Sequence, residues 1–160
     1  MSSEPNITIQ TFANLDAEHM GLLLEADPSA EMIHDVFTHS CAYEIRVGQA
    51  LAGVMLLIRA NTDALEIANI SVDRAYRRQG LGSRLIDRAK METVRLGLRR
   101  LEVGTGSTSF GALCFYQTCG LRMDRIERDY FVDRYEQAIV ENGITLKDMV
   151  RLSWFPERPE

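Results

Sequence analysis

The sequence predicts an α+β domain. Three observations carry that prediction: a period-two segment followed by two helical segments, a run of three further strand-like segments, and an alternation of helix and strand over the rest of the chain.

Residues 7–12 alternate apolar and polar side chains from Ile7 to Phe12, as a half-buried strand does. Asn14 or Asp16 is placed to cap a helix carrying Met20, Leu23 and Leu24, which is expected to stop near Asp27-Pro28 because proline disfavours helix in the residue before it. Ser29 and Glu31 open a second short helix with Met32, Ile33, Val36 and Phe37 along one side. Segments 42–47 and 51–59 are strand-like and meet at Gly48-Gln49, a hairpin signal, and 65–72 is the next strand. The period then changes, with Leu81, Leu85, Ala89, Thr93 and Leu96 at helical spacing and Gly97 as a C-terminal cap. A short strand over 101–103 opens into Gly104-Thr105-Gly106-Ser107-Thr108-Ser109, a loop able to cap a helix over 110–119 that Gly120 ends. Residues 121–126 alternate again, 133–141 read as a short helix closed by Asn142-Gly143, and 147–155 as the last strand.

At 160 residues, 46% hydrophobic and 26% charged, the chain has the composition of one globular domain over 1–160, which excludes disorder and fibrous repeats. The longest apolar run, residues 50–58, is about half of what a membrane-spanning helix needs. The opening Met1-Ser2-Ser3-Glu4-Pro5-Asn6 has neither a basic flank nor an apolar core, so no secretory signal is read and a cytoplasmic protein is expected. Cys41, Cys114 and Cys119 are odd in number and lack a CxxC pair; they are expected to pack as reduced small hydrophobes, with no disulfide framework and no metal site. Charge is segregated. Residues 1–45 hold eight acids and no Lys or Arg, whereas 74–100 hold nine bases against Asp87 and Glu92, so one part attracts cations and the other anions.

The most informative stretch runs from Ile70-Ser71-Val72 through Asp73-Arg74-Ala75-Tyr76 into Arg77-Arg78-Gln79-Gly80-Leu81-Gly82-Ser83. Gly80 and Gly82 leave backbone N–H groups exposed at the first turn of a long helix; with the helix dipole and the arginines these form an anion site suited to a pyrophosphate. Neither the Walker GxxxxGK[ST] pattern nor the dinucleotide GxGxxG fingerprint is present. Taken alone, the glycines are equally compatible with a tight strand-to-helix turn.

Arg77-x-x-Gly80-x-Gly82, followed about thirty residues later by Ala112-Leu113-Cys114-Phe115-Tyr116-Gln117-Thr118-Cys119-Gly120-Leu121, resembles the GCN5-related N-acetyltransferase (GNAT) family over essentially the whole chain. The segment from Asp129-Tyr130-Phe131 to Glu141-Asn142-Gly143-Ile144 resembles a small bacterial branch of it. The resemblance implies a mixed, mostly antiparallel central sheet flanked by helices in a three-layer α/β/α sandwich. It implies acetyl-CoA as cosubstrate, with the backbone of Ile70, Ser71 and Val72 pairing with the pantetheine arm and Arg77, Arg78, Gln79, Gly80, Leu81, Gly82 and Ser83 cradling the pyrophosphate. Ser109, Ala112 and Phe115 would complete the coenzyme site, and Tyr116 would protonate the departing thiolate. Glu66, eleven residues before Arg77, stands where the histone-acetylating branch carries its general base; ordered water is the alternative. Ser109 replaces the Asn common seven residues before the Tyr, and Leu121 replaces an aromatic after the Gly.

Acids at Glu25, Asp27, Glu31 and Asp35, and at Asp124, Glu127, Asp129 and Asp133, stand where the family places its acceptor. They suggest a cationic amine: a polyamine, an aminoglycoside, or an amine of a basic peptide. No nucleic acid and no membrane partner is expected, and a homodimer contact through Arg125, Glu127, Arg128 and Asp129 is suggested by analogy. A catalytically idle acyl-CoA sensor is the rival reading; it would keep the cradle without needing Tyr116.

Overall fold

The structure, a computed structural model, describes residues 3–157; Met1 and Ser2 of the N-terminal stretch discussed above lie outside that range. Strand β1 (Ile7–Thr11) leads into helix α1 (Ala17–Ala26), whose N-terminus Asp16 caps by accepting the His19 backbone N–H, and into α2 (Ala30–Thr38), capped in the same way by Ser29 through Met32. Then come β2 (Cys41–Val47), β3 (Ala50–Arg59) and β4 (Ala64–Val72), followed by the long helix α3 (Leu81–Arg95), β5 (Arg100–Gly106) and α4 (Phe110–Thr118). The remaining elements are β6 (Arg122–Glu127), α5 (Tyr130–Arg134), β7 (Ile139–Glu141), β8 (Ile144–Leu146) and β9 (Met149–Trp154).

Seven strands make one sheet in the order β1-β2-β3-β4-β5-β9-β6, and β7 and β8 form a separate hairpin. Within the sheet β4 and β5 are parallel and all other neighbours antiparallel. A parallel pair needs a crossover, and α3 supplies it.

Strand β3 shows how the layers arise. Ala52, Met55 and Leu57 pack on one face with Leu81, Leu85, Ile86 and Ala89 of α3 and Leu113 and Tyr116 of α4. Leu51, Val54 and Leu56 pack on the other with Leu22 and Leu23 of α1 and Ile33 of α2. Ala52 is an extra residue between the Arg46–Leu51 and Ile45–Gly53 pairs and shifts the phase there; from Gly53 onward alternate side chains feed two cores, and the sheet becomes the middle layer of the expected sandwich.

Three expectations are corrected. The helix read over 133–141 is the five-residue α5, ending at Arg134, followed by the β7–β8 hairpin. Asn142-Gly143 is the hairpin's two-residue turn, at φ 54° and 74°, because that dipeptide tolerates positive φ at both central positions. Strand β5 continues past Val103 to Gly106, since β9 pairs with it along its length. Cys41 and Cys114 are free and exposed rather than packed.

Candidate active site

Strand β4 pairs with β3 along most of its length but with β5 only over Ala64–Ile67. Leu56 lies opposite Asn69 and Leu57 opposite Ile67, so Ala68 is an extra residue, a β-bulge. Beyond it, residues 69–72 pair only with β3 and Gly104, Thr105 and Gly106 only with β9, and the parallel strands part. The gap is a cleft of about 920 Å³ lined by Ile67, Asn69, Ile70, Ser71, Val72 and, from β5, Val103 to Thr105. The bulge also switches the phase of the strand. Leu65 and Ile67 pack in the α3–α4 core, and so do Ile70 and Val72, which turns Asn69 and Ser71 toward α1. There the Asn69 Nδ2 donates to the Leu23 carbonyl at 3.2 Å, and the Ser71 Oγ lies 3.5 Å from the Glu25 carboxylate.

At the α3 end of the cleft, Gly80 at φ 77° is the N-cap of the helix and supplies no side-chain cap, so the first-turn amides keep their donors free of one. Arg78 is also left-handed, at φ 62°, a conformation a side-chain-bearing residue adopts at a cost. Arg77 donates from Nε to the Val72 carbonyl at 3.0 Å and from Nη2 to Glu25 at 3.3 Å, which ties the turn to the end of β4 and to α1. Arg77, Arg78, Gly80, Leu81, Gly82 and Ser83 all line the cleft; Gln79 does not.

The second wall is α4. Ser109, Ala112, Phe115 and Tyr116 line the cleft from one face of the helix, as their spacing dictates. Tyr116 is buried, and burial pushes its phenol up to about 12, so it stays protonated across the physiological range. Ser109 caps nothing with its side chain; its Oγ donates to Glu141 of β7 at 2.9 Å, while the Asn142 Nδ2 donates to the Thr108 carbonyl at 2.8 Å. The hairpin thereby brings Glu141 to the cleft wall, a residue that sequence reasoning missed along with Asn69.

Glu66 stands apart from the other expected site residues. It precedes the bulge, does not line the cleft, and is held by Arg151 of β9 at 3.0 Å; Arg151 in turn donates to Glu127 at 2.9 Å. Burial raises the Glu66 carboxyl above the usual carboxylate range against the opposing pull of Arg151. Of the acids expected around an acceptor, Glu25 alone lines the cleft. Asp27 accepts from the Ser29 backbone and Asp124 from the Ser153 hydroxyl. Among the described residues no group of three or more His, Cys, Asp or Glu is arranged to hold a metal ion.

A free strand edge leading to an uncapped helix N-terminus beside arginines fits an extended ligand with an anionic end. Such a ligand is what the resemblance to the GNAT family implies in its phosphate-bearing acyl donor. Residues 9–121 match the profile of the Acetyltransferase (GNAT) family. The chain is 38% identical over 131 residues to the uncharacterised N-acetyltransferase YvbK of Bacillus subtilis, covering 82% of this chain and 84% of that one. A GNAT acetyltransferase from Elizabethkingia anophelis, crystallised with acetyl-CoA bound, superposes with a TM-score of 0.88 at 33% identity, over 94% of this chain and 98% of that one. A Bacillus subtilis acetyltransferase in complex with CoA gives 0.89 at 35% identity, over 94% and 99%. The chain belongs to the GNAT N-acetyltransferase family.

Proposed function

We propose that residues 1–160 act as one acetyltransferase unit that moves an acetyl group from acetyl-CoA to a primary amine by direct attack within a ternary complex. The observation that carries this reading is the cleft itself, which places the free edge of β4, the uncapped start of α3 and the buried Tyr116 phenol on one wall system. The relatives crystallised with acetyl-CoA and CoA support the choice of donor.

In this reading the backbone of Ile70, Ser71 and Val72 pairs with the pantetheine arm, and the amides of Gly80 to Ser83, with Arg77 and Arg78, take the pyrophosphate. Ser109, Ala112 and Phe115 close the opposite side. The amine lone pair attacks the thioester carbon; the C–N bond forms, the C–S bond breaks, and the leaving thiolate takes the Tyr116 proton. A β4 amide near Ile70 stabilises the carbonyl oxygen as charge develops. Glu66 or an ordered water takes the amine's proton; for Glu66, burial favours a basic carboxyl whereas its bond to Arg151 and its place outside the cleft wall favour a relayed transfer through water. The acceptor is a cationic small molecule or basic peptide, consistent with the acid-rich first 45 residues.

The test is thiol release from acetyl-CoA in the presence of spermidine, kanamycin or a short basic peptide with a free N-terminus, with Tyr116→Phe beside the parent. Release with at least one amine, slowed about tenfold or more by Tyr116→Phe at unchanged coenzyme affinity, supports acid catalysis by Tyr116. Tight coenzyme binding with no release from any amine favours a sensor.

A further inference from the structure

Asn69 follows the bulge directly and is only 7% exposed, yet it lines the cleft. Its amide orientation is set by its neighbour, because the Leu23 carbonyl accepts a hydrogen bond and Nδ2 is the half of the amide that can donate one. That leaves Oδ1 buried with no hydrogen-bond partner. The orphaned buried side-chain atoms among the described residues are Asn69 Oδ1, Thr108 Oγ1 and Trp154 Nε1, and of these residues Asn69 alone is on the cleft wall. A buried acceptor without a partner is costly, and native folds keep one chiefly where a ligand or water supplies the missing donor.

Location says which donor. The free edge of β4 begins at the bulge, and the phase switch sends the Asn69 side chain to the α1 face of the sheet while Ile70 and Val72 stay on the α3–α4 face with Tyr116. A coenzyme arm added to the edge of β4 would have Tyr116 on its α4 side and, on its α1 side, the part of the cleft wall made by Asn69, Ser71 and Glu25. With the phenol on the first side, the second is the wall left for the acceptor amine.

We propose that Asn69 Oδ1 accepts a hydrogen bond from the acceptor amine and orients its lone pair toward the thioester carbon, making Asn69 a direct contact of the second substrate. The inference rests on the acetyltransferase reading above. Asn69 gains and loses no proton; it fixes the direction of attack. Leu23 O remains satisfied without it, since the Asp27 backbone N–H also donates there at 3.0 Å.

The test uses Asn69→Leu, which removes both polar atoms at similar volume, and Asn69→Asp, which keeps an acceptor oxygen but sets a carboxylate against the Leu23 carbonyl. Melting temperature, CoA affinity by calorimetry, and kcat and KM for the best of the three amines above are measured for each. The expected pattern is crossed. Asn69→Leu melts no lower than the parent and binds CoA within about twofold, but loses about tenfold to thirtyfold in kcat/KM for the amine. Asn69→Asp melts lower yet keeps more amine turnover than Asn69→Leu. If activity follows melting temperature across the two variants, if Asn69→Leu fails to fold or loses CoA binding, or if its kcat/KM stays within about threefold of the parent, the contact is structural and the inference is overturned. A parent that binds CoA but releases no thiol with any amine overturns the acetyltransferase reading itself, and this inference with it.

Discussion

Gly82 and Phe115 meet where a side chain on residue 82 would stand: a Cβ built there lies 2.9 Å from the ring Cζ and 3.3 Å from Cε2. The second glycine of the cradle thus does more than open a turn. It lets α4 close against the first turn of α3 so that the ring forms part of the cleft wall. Phe115 is only partly buried, so in Gly82→Ala the ring can yield, and the space it can yield into is the cleft. We expect Gly82→Ala to melt within a few degrees of the parent while binding CoA about tenfold more weakly, and Phe115→Leu in the same chain to recover most of that affinity. Calorimetric titration of the three proteins decides it; a large loss of stability at unchanged affinity would count against this account.

Arg77 cannot serve the pyrophosphate and Glu25 equally. The pair is 3.3 Å apart and both side chains are about half exposed, so their attraction is modest, in the range of about 0.2–1 kcal/mol. Removing the carboxylate frees Arg77 and lowers the negative charge near the phosphates. Glu25→Gln is therefore expected to tighten CoA binding by about twofold to fivefold at low salt, an advantage that shrinks as ionic strength rises. Weaker binding in Glu25→Gln would mean that Glu25 orients Arg77 rather than competing for it.

The parts of the fold that were legible in the sequence are those whose signal is local. Leu81, Leu85, Ala89 and Thr93 recur at helical spacing and are all buried along α3, and Gly97 sits at φ 67° just past the helix. The bulge, by contrast, is missed when 65–72 is read from the sequence as an unbroken strand, although its trace is there: Leu65 and Ile67 are apolar on one phase, Ile70 and Val72 on the other. What could not be read is where distant partners land. Arg151, which holds Glu66, is 85 positions away, and Glu141 reaches Ser109 across 32 positions through a hairpin. Asn142-Gly143 is a turn signal in either a helix stop or a hairpin, and only the pairing of Ile139 with Leu146 separates the two.

The Ser109–Glu141 bond and the Asn142–Thr108 bond clasp the β7–β8 hairpin to the loop before α4. Ser109 stands where the resemblance implies an Asn, and here the hairpin brings the Glu141 carboxylate to the cleft wall through it. Ser109→Ala removes the donor at 2.9 Å and leaves the Asn142 tie in place. Hydrogen exchange is expected to rise in residues 139–146 while α4 stays protected, with a stability loss of about 1 kcal/mol. Unchanged exchange in the hairpin would show that the Asn142 tie suffices.

Glu44, which does not line the cleft, provides a stability test with a definite sign. It is buried between β1 and α1, where burial alone would push its carboxyl up; hydrogen bonds from Arg46, His19 and Gln10 outweigh that and hold it down at about 2. Arg46 donates from Nε at 2.8 Å and Gln10 at 2.6 Å. The His19 Nε2 lies 2.8 Å from the Glu44 carboxylate, while its Nδ1 lies 2.9 Å from the Asp16 carboxylate and 3.3 Å from the Asp16 backbone nitrogen. In the unfolded chain the same carboxyl titrates near 4.5. Between those values the unfolded state binds the proton and the folded state does not, so stability is present in full above the unfolded value and drains away as pH falls toward 2. The contribution at neutral pH is about 3 kcal/mol. Denaturant midpoints measured from pH 6 down to pH 2 are expected to fall for the parent and to fall less steeply for Glu44→Gln, which cannot take up that proton. Parallel slopes in the two proteins would assign the acid sensitivity to other carboxylates and remove the Glu44 network from the account.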